Sequence, residues 1–139
     1  MSILSKRTIP LFLAAFISVQ IVSCNAQILA GVEQISQANL LTQIETAQPP
    51  LILDVRSQSE YDVGHIPGAV NIEFRQLKDR ISEIESFKNS TVVVYCERGI
   101  RAKVAEAALL QAGFSSILHL EGDMSAWRNN SLPIEKSSS

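Results

Sequence analysis

The sequence contains little of several residue types that define specialised proteins. It has two cysteines, six glycines, five prolines and one tryptophan in 139 residues. These counts argue against a disulfide-stapled mini-protein and a collagen-like chain, and the 46% hydrophobic content argues against disorder. An excess of one charge is also missing, because the net charge is -2 and the basic residues are scattered. We therefore expect no nucleic-acid partner.

The N-terminal segment has the pattern of a cleaved secretion signal. A short basic stretch precedes an apolar run of fourteen residues from Ile9 to Val22. This run is shorter than the roughly 20 residues that a transmembrane helix needs, and it ends in small residues. The sequence predicts a lipoprotein-type signal peptide over residues 1–23, after whose cleavage Cys24 is lipidated, as in the lipobox of bacterial lipoproteins. Plain cleavage after Ala26 and a buried N-terminal helix are the alternatives.

The predicted cleavage determines the expected organisation of the chain. We expect a tether over residues 24–34, one folded domain over 35–132 and a flexible tail over 133–139, since the mature length suits a single compact core. The predicted location is the bacterial cell envelope, periplasmic or otherwise extracytoplasmic. We expect the domain to be monomeric and to be held at the membrane by its lipid anchor. Cys96 is then the only thiol of the mature chain, so it is either buried and inert or kept for its reactivity.

Strand-like and helix-like patterns alternate along the mature chain. Continuous apolar runs predict strands at 51–55 and 91–95, with a further strand at 117–120. Helical patterns follow Ser36 until the proline pair at 49–50, span 74–87, and begin again near Ser125. A longer helix starts at Ile100, and its predicted core-facing residues are Val104, Ala108, Leu109 and Ala112. The order predicts an α/β domain with a mostly parallel sheet flanked by helices on both faces.

Cys96 lies where a predicted parallel strand ends and a helix begins, which is the edge of the sheet where ligands bind in such folds. Gly99 permits a positive φ, so successive N–H groups can point inward and form an anion-binding nest. The helix start and the side chains of Arg98 and Arg101 add positive charge, whereas Glu97 opposes it. The surroundings therefore favour a nucleophilic thiolate. The alternative is a small buried hydrophobic cysteine.

Other cysteine chemistry has no support in the sequence. There is no CxxC pair and no His/Cys cluster, so neither a thioredoxin-like site nor a zinc site is predicted. His65 and His119 are far from Cys96 along the chain, and nothing specific pairs either of them with the thiol.

Several sequence blocks, in order, resemble the rhodanese family. They cover about Ile35 to Trp127 and read LDVR at 53–56, EY at 60–61, GHIPGAVN at 64–71, CERGIR at 96–101, LEG at 120–122 and AW at 126–127. One such block alone would be a weak signal, whereas their combination is specific. The resemblance implies a single rhodanese-like domain over 35–132 with a small parallel sheet.

The resemblance also implies a chemistry. Cys96 would attack the outer sulfur of a donor such as thiosulfate, carry it as a persulfide and pass it to a thiophilic acceptor such as cyanide or a thiol. The residues that would bind the substrate are Glu97, Arg98, Gly99, Ile100 and Arg101. Asp54 and Arg56 would support the end of the strand as an ion pair. No metal or organic cofactor is implied.

Two residues depart from the family's usual pattern. Asp123 stands where a second glycine commonly follows Gly122, and Glu97 places a carboxylate beside the nucleophile. The charge of Glu97 predicts weaker binding of dianionic donors. Two other functions stay open: a rhodanese-fold module that binds or carries sulfur without turnover, and phosphatase or arsenate reductase chemistry. The latter uses a loop one residue longer, so the six residues from Cys96 to Arg101 favour sulfur transfer.

Overall fold

The computed structural model describes residues 31–137. The predicted signal peptide, Cys24 and most of the predicted tether lie outside the described residues. Within residues 31–137, no helix has both the length and the apolar character needed to cross a membrane.

The described chain forms one sheet of five strands, all parallel. The strands are β1 (Glu33–Ile35), β2 (Leu51–Asp54), β3 (Val70–Asn71), β4 (Thr91–Tyr95) and β5 (Ser116–Leu120). Their order in the sheet is β1-β5-β4-β2-β3, so the longest strands, β4 and β5, lie beside each other and the shortest form the two edges. The predicted α/β class with a parallel sheet is confirmed.

Helices cover both faces of this sheet. They are α1 (Gln37–Ile44), α2 (Gln58–Val63), α3 (Leu77–Arg80), a 3-10 helix (Ile81–Phe87), α4 (Ile100–Gln111) and α5 (Asp123–Asn129). Side chains of α1 and α5 pack on one face, and those of α3, the 3-10 helix and α4 pack on the other. Ser36 caps α1 by accepting the Asn39 N–H, as its position before the apolar pattern predicts.

The central strands alternate between two cores. On β4, Val92 and Val94 join one cluster, whereas Val93 and Tyr95 join the other. All four are fully buried. Because both faces of the sheet are covered, the strand needs apolar side chains at every position, which accounts for its unbroken apolar sequence.

Two predicted element boundaries need correction. The predicted tether ends too late, because Glu33–Ile35 pairs with β5 as an edge strand too short to give a pattern. The predicted helix over 74–87 is divided into α3 and a 3-10 helix. The three-residue spacing of Ile81 and Ile84 fits the 3-10 repeat and buries Ile84.

The predicted core face of α4 was partly wrong. Leu109 is buried in the core as predicted, and Ala108 and Ala112 pack against that core as partly buried residues, whereas Val104 is 53% exposed. The remaining apolar core side chains of the helix are Ala102 and Ala105, whose small size allows the helix to lie close to the sheet. The prediction therefore included one solvent-facing residue and missed two small core residues.

The described part of the predicted flexible tail is attached to the domain. His65 and Glu135 exchange two backbone hydrogen bonds of 2.9 Å, and the indole N–H of Trp127 donates to the Pro133 carbonyl at 2.7 Å. Polar residues at a chain end favour fraying only when nothing binds their backbone. Here the turn around His65 binds the backbone of this segment.

Candidate active site

The candidate site is the turn between β4 and α4. Cys96 follows the last residue of β4, in the central part of the sheet, and Gly99 immediately precedes α4. The carboxyl end of a parallel strand and the amino end of a helix thus meet at the thiol. Anions and nucleophilic groups are stabilised at such a position by the unpaired N–H groups of the first helical turn.

Gly99 gives this turn its shape. Its φ is 90°, and its N–H donates to Cys96 Sγ at 3.0 Å. A β-carbon at this position would lie only 3.1 Å from Asp123 Oδ2. Both the backbone conformation and the crowding therefore require glycine. The turn thus presents a backbone donor to the Cys96 sulfur.

The first turn of α5 holds the peptide groups of Cys96. The Cys96 N–H donates to Asp123 Oδ1 at 2.8 Å, and the Cys96 carbonyl accepts the Met124 N–H at 3.0 Å. The Glu97 carbonyl accepts the Ser125 N–H at 3.2 Å. The backbone on either side of the thiol is consequently fixed by a segment 27 residues further along the chain.

Arg101 turns back across the loop to α2. Its guanidinium donates to both carboxylate oxygens of Glu60, at 2.6 and 2.8 Å. Glu60 also caps α2 by accepting the Ser57 N–H at 3.0 Å. These bonds, Arg101 first, lower the pKa of Glu60 to about 2, and the Glu60 bond raises the pKa of Arg101. The pair is charged at all ordinary pH values.

A second guanidinium–carboxylate pair lies deeper. Arg56 Nη2 donates to Asp54 Oδ2 at 2.6 Å and to the Gly64 carbonyl at 2.9 Å. The Tyr95 hydroxyl donates to the same Asp54 oxygen at 2.7 Å. Burial and the Asp54 charge raise the pKa of Tyr95. The predicted Asp54–Arg56 ion pair is present, and it connects the ends of β2 and β4.

Glu97 lies among cations. Its carboxylate bonds to Arg128 of α5 and is 3.7 Å from Arg56 Nη1. The sequence-based expectation treated the Glu97 charge as unopposed, because nothing in the local sequence indicates either arginine. In the structure that charge is balanced.

The mouth of the site is an open cleft of about 410 Å³. Cys96 is only 1% exposed. The sequence-predicted residues around it are brought together, since the lining is formed by Cys96, Glu97, Arg98, Ile100 and Arg101. Gly99 lies behind them, facing the sulfur and Asp123. Among residues 31–137, no group of three or more His, Cys, Asp and Glu side chains is arranged to hold a metal ion.

Sequence reasoning missed four residues that contact this site or its supports. Glu60 binds Arg101, and Arg128 binds Glu97. Asp123 accepts the Cys96 N–H. His119 in turn binds Asp123. Two of the four had a signal in the sequence, because Glu60 lies in the EY block of the resemblance and Asp123 stands where that family commonly has glycine.

Comparison with known proteins places this geometry in a family. The model of the Rhodanese-like domain matches residues 36–130, which is most of the chain. The protein therefore belongs to the rhodanese-like family, and the predicted single-domain rhodanese fold is confirmed.

Two relatives differ in how much of their length they share with this chain. A sulfurtransferase of Allochromatium vinosum is 34% identical over 103 residues, covering 74% of this chain and 94% of that protein. A tRNA uridine(34) hydroxylase of Cytophaga hutchinsonii is 39% identical over 75 residues, but these are only 24% of its length. Family membership and the first relative support sulfur transfer at the level of the family.

Solved structures agree with the fold. The Anabaena Alr3790 protein has a TM-score of 0.67 at 32% identity, over 74% of this chain and 82% of that one. A Rhodanese-like domain protein of Staphylococcus aureus has a TM-score of 0.65 at 29% identity, over 77% of this chain and 100% of that one. A Rhodopseudomonas palustris protein described as a possible tyrosine phosphatase has a TM-score of 0.66 at 26% identity, over 77% and 87%.

Proposed function

We propose that this protein is a thiosulfate sulfurtransferase-like enzyme that carries sulfane sulfur as a persulfide on Cys96. The observation that carries the proposal is the thiol's position at the floor of a loop, with the Gly99 N–H 3.0 Å from Sγ at the start of a 12-residue helix. Such a loop stabilises one negative charge on or beyond the cysteine sulfur.

The first half-reaction is a displacement at sulfur. The Cys96 thiolate attacks the outer sulfur of thiosulfate and forms a new S–S bond. The old bond between that sulfur and the sulfite group breaks, and sulfite leaves with the electron pair. The persulfide anion that remains has the same charge as the thiolate, so the same N–H groups serve both states.

The second half-reaction restores the enzyme. A thiophilic acceptor such as cyanide attacks the outer persulfide sulfur, and the Cys96 thiolate leaves. With cyanide the product is thiocyanate; with a thiol it is a new persulfide on the acceptor. No net oxidation or reduction of the protein occurs, and no metal or organic cofactor takes part.

The loop residues divide the work by position. The backbone N–H groups from Glu97 to Arg101 would surround the outer sulfur, and Arg98 is exposed at the mouth. Arg101 keeps its charge beside the thiol because Glu60 holds it there. Ile100, 79% exposed, gives the rim an apolar contact for the acceptor. The partners proposed are a small sulfur donor and a thiol or cyanide acceptor.

The competing phosphatase reading rests on the fold alone. One structural neighbour is described as a possible tyrosine phosphatase. The Cys96 to Arg101 loop has six residues. A tetrahedral phosphoryl group needs a wider ring of N–H donors than a single sulfur atom, so the short loop favours sulfur.

Intact-protein mass spectrometry tests the proposal. After incubation with thiosulfate, the protein is expected to gain one sulfur atom and to lose it to cyanide as thiocyanate. Cys96→Ser abolishes the gain, whereas Cys24→Ser, the matched cysteine variant, retains it. Absence of any sulfur gain by a Cys96 that iodoacetamide alkylates readily would reject thiosulfate as donor, and hydrolysis of a phosphate ester instead would reject sulfur transfer.

We also propose that the domain is lipid-anchored through Cys24 at the bacterial envelope. The basis is the sequence pattern alone, a basic start, an apolar run and a small-residue cleavage site before the cysteine. Several acyl chains would anchor the protein firmly. In membrane fractions of expressing cells, Cys24→Ser is expected to release the protein; retention of that variant in the membrane would contradict lipidation.

A further inference from the structure

Beneath the active loop lies a buried chain of three ionisable side chains. Glu106 of α4, His119 of β5 and Asp123 of α5 are 6%, 8% and 4% exposed. His119 Nδ1 bonds to Glu106, and His119 Nε2 is 3.1 Å from Asp123 Oδ2. The proposed sulfur transfer uses none of these groups directly.

Asp123 connects this chain to the nucleophile. Its Oδ1 accepts the Cys96 N–H at 2.8 Å while its Oδ2 faces His119. Asp123 adopts a φ of 53°, which a non-glycine residue rarely does. A conformation that disfavours a side chain, together with two bonds that use both carboxylate oxygens, indicates that the carboxylate has a specific task.

The charge on Asp123 needs a partner because it lies close to a thiolate. The Asp123 carboxylate, then the Glu106 carboxylate, raise the pKa of His119 to about 10, so the imidazole is cationic at neutral pH. The charged groups facing His119 are Glu106 from α4 and Asp123 from α5, and Cys96 lies just beyond Asp123. The imidazolium offsets the charge of the carboxylate that contacts the nucleophile's peptide.

We propose that Asp123 and His119 are positioning residues for Cys96. Asp123 fixes the Cys96 N–H, and hence the direction of the thiol, while His119 fixes Asp123 and cancels its charge. Glu106 holds the far side of the imidazole. This inference rests on the proposed function of Cys96 as the sulfur carrier. It adds that the carrier is held by a carboxylate whose charge a neighbouring imidazolium cancels.

The discriminating experiment is the pH dependence of Cys96 alkylation by iodoacetamide in His119→Gln, Asp123→Asn and the double variant. His119→Gln leaves the Asp123 charge uncompensated, so half-maximal alkylation is expected at a higher pH, with about tenfold slower reaction at pH 7. Asp123→Asn removes the repulsive charge and keeps an acceptor oxygen, so its profile shifts to lower pH. The alkylation profile of the double variant is expected to lie nearer to that of Asp123→Asn than to that of His119→Gln.

Matched controls separate this role from a general loss of stability. Glu121→Gln removes an exposed carboxylate two residues before Asp123 and is expected to leave the profile unchanged. Asp123→Gly suits the backbone conformation, so it folds, yet it removes the acceptor of the Cys96 N–H. In that variant kcat for thiosulfate is expected to fall about tenfold with KM changed less than twofold, since orientation and not donor binding is lost.

Two results would overturn the inference. One is a shift of His119→Gln and Asp123→Asn in the same direction, which would indicate only a structural role. The other is an alkylation profile of His119→Gln equal to that of the wild type. Alkylation does not require persulfide formation, so a wild-type protein that reacts with iodoacetamide but gains no sulfur rejects thiosulfate as the donor and leaves the positioning test intact.

Discussion

Two guanidinium–carboxylate pairs flank the active loop, and in both of them two guanidinium nitrogens donate to the carboxylate. Arg56 binds Asp54 and Arg101 binds Glu60, each with a shortest bond of 2.6 Å. Their surroundings differ: the inner pair is 1% and 0% exposed, the outer pair 29% and 34%. Removing a partner from a buried pair leaves an uncompensated charge, whereas water compensates an exposed one. The inner pair should therefore control stability, and the outer pair the reactivity of the loop.

The largest effect is expected from Arg56→Ala. This change leaves the buried Asp54 carboxylate with only two donors, the Tyr95 hydroxyl and the backbone N–H of residue 56. It should lower the free energy of unfolding by about 3–5 kcal/mol. Urea unfolding followed by circular dichroism measures it. Arg75→Ala, whose side chain is 76% exposed, is the matched arginine control and should change stability by less than about 0.5 kcal/mol. A loss below about 1 kcal/mol in Arg56→Ala would remove the distinction between the pairs.

Arg101→Ala should show the opposite balance. Its unfolding free energy is expected to fall by only about 1 kcal/mol, because water reaches both members of the pair. Persulfide formation should slow about tenfold, since the loop loses the cation beside the thiol and its link to α2. Single-turnover mass spectrometry with thiosulfate measures the rate. If stability fell as far as in Arg56→Ala while the rate stayed unchanged, the assignment of roles would be reversed.

Acid should weaken the outer pair over a defined range. The folded-state pKa of Glu60 is about 2, below its ordinary value of 4.5. A lowered pKa contributes stability above pH 4.5, and the contribution is lost as the pH falls through 2. The free energy of unfolding of the wild type should exceed that of Glu60→Gln by about 0.5 kcal/mol or less at pH 7, after allowance for solvent screening, and the difference should vanish below about pH 2. A difference that grows in acid would contradict the assignment.

The smallest effect is expected at Glu97. Because Arg128 and Arg56 offset its charge, Glu97→Gln should change the KM for thiosulfate by less than about twofold. Steady-state kinetics at low ionic strength would detect a larger change. Arg128→Gln provides the matched comparison, since it leaves Glu97 with Arg56 alone and should raise that KM. A fall in KM well beyond twofold in Glu97→Gln would contradict this expectation. It would instead support the sequence-based prediction that the charge of Glu97 weakens binding of a dianionic donor.

The parts of the site that are local in sequence could be predicted. Cys96, Gly99 and Arg101 lie in one short segment, and a strand followed by glycine and a helix already implies their arrangement. The parallel sheet was equally accessible, because continuous apolar strands such as 91–95 require cover on both faces.

The parts that depend on tertiary register could not. Glu106 lies on a helix, where a glutamate is expected to face solvent, and its burial follows from how α4 packs on β5. Asp123 meets Cys96 across 27 residues, and Glu60 meets Arg101 across 41. No local pattern encodes these contacts. On α4 the apolar pattern correctly indicated Leu109, but only the packing of the helix on the sheet selects Ala102 and Ala105 over Val104 as core residues.

The long separations between these contacts have a consequence for folding. Loop-closure entropy opposes contacts across 27 and 41 residues until the parallel sheet brings its strand ends together. A chain that has formed its helices but not its sheet lacks the contacts that hold the Cys96 peptide. The reactivity proposed for that sulfur therefore depends on the completed topology, and it is expected to arise only once the polypeptide has reached its native state.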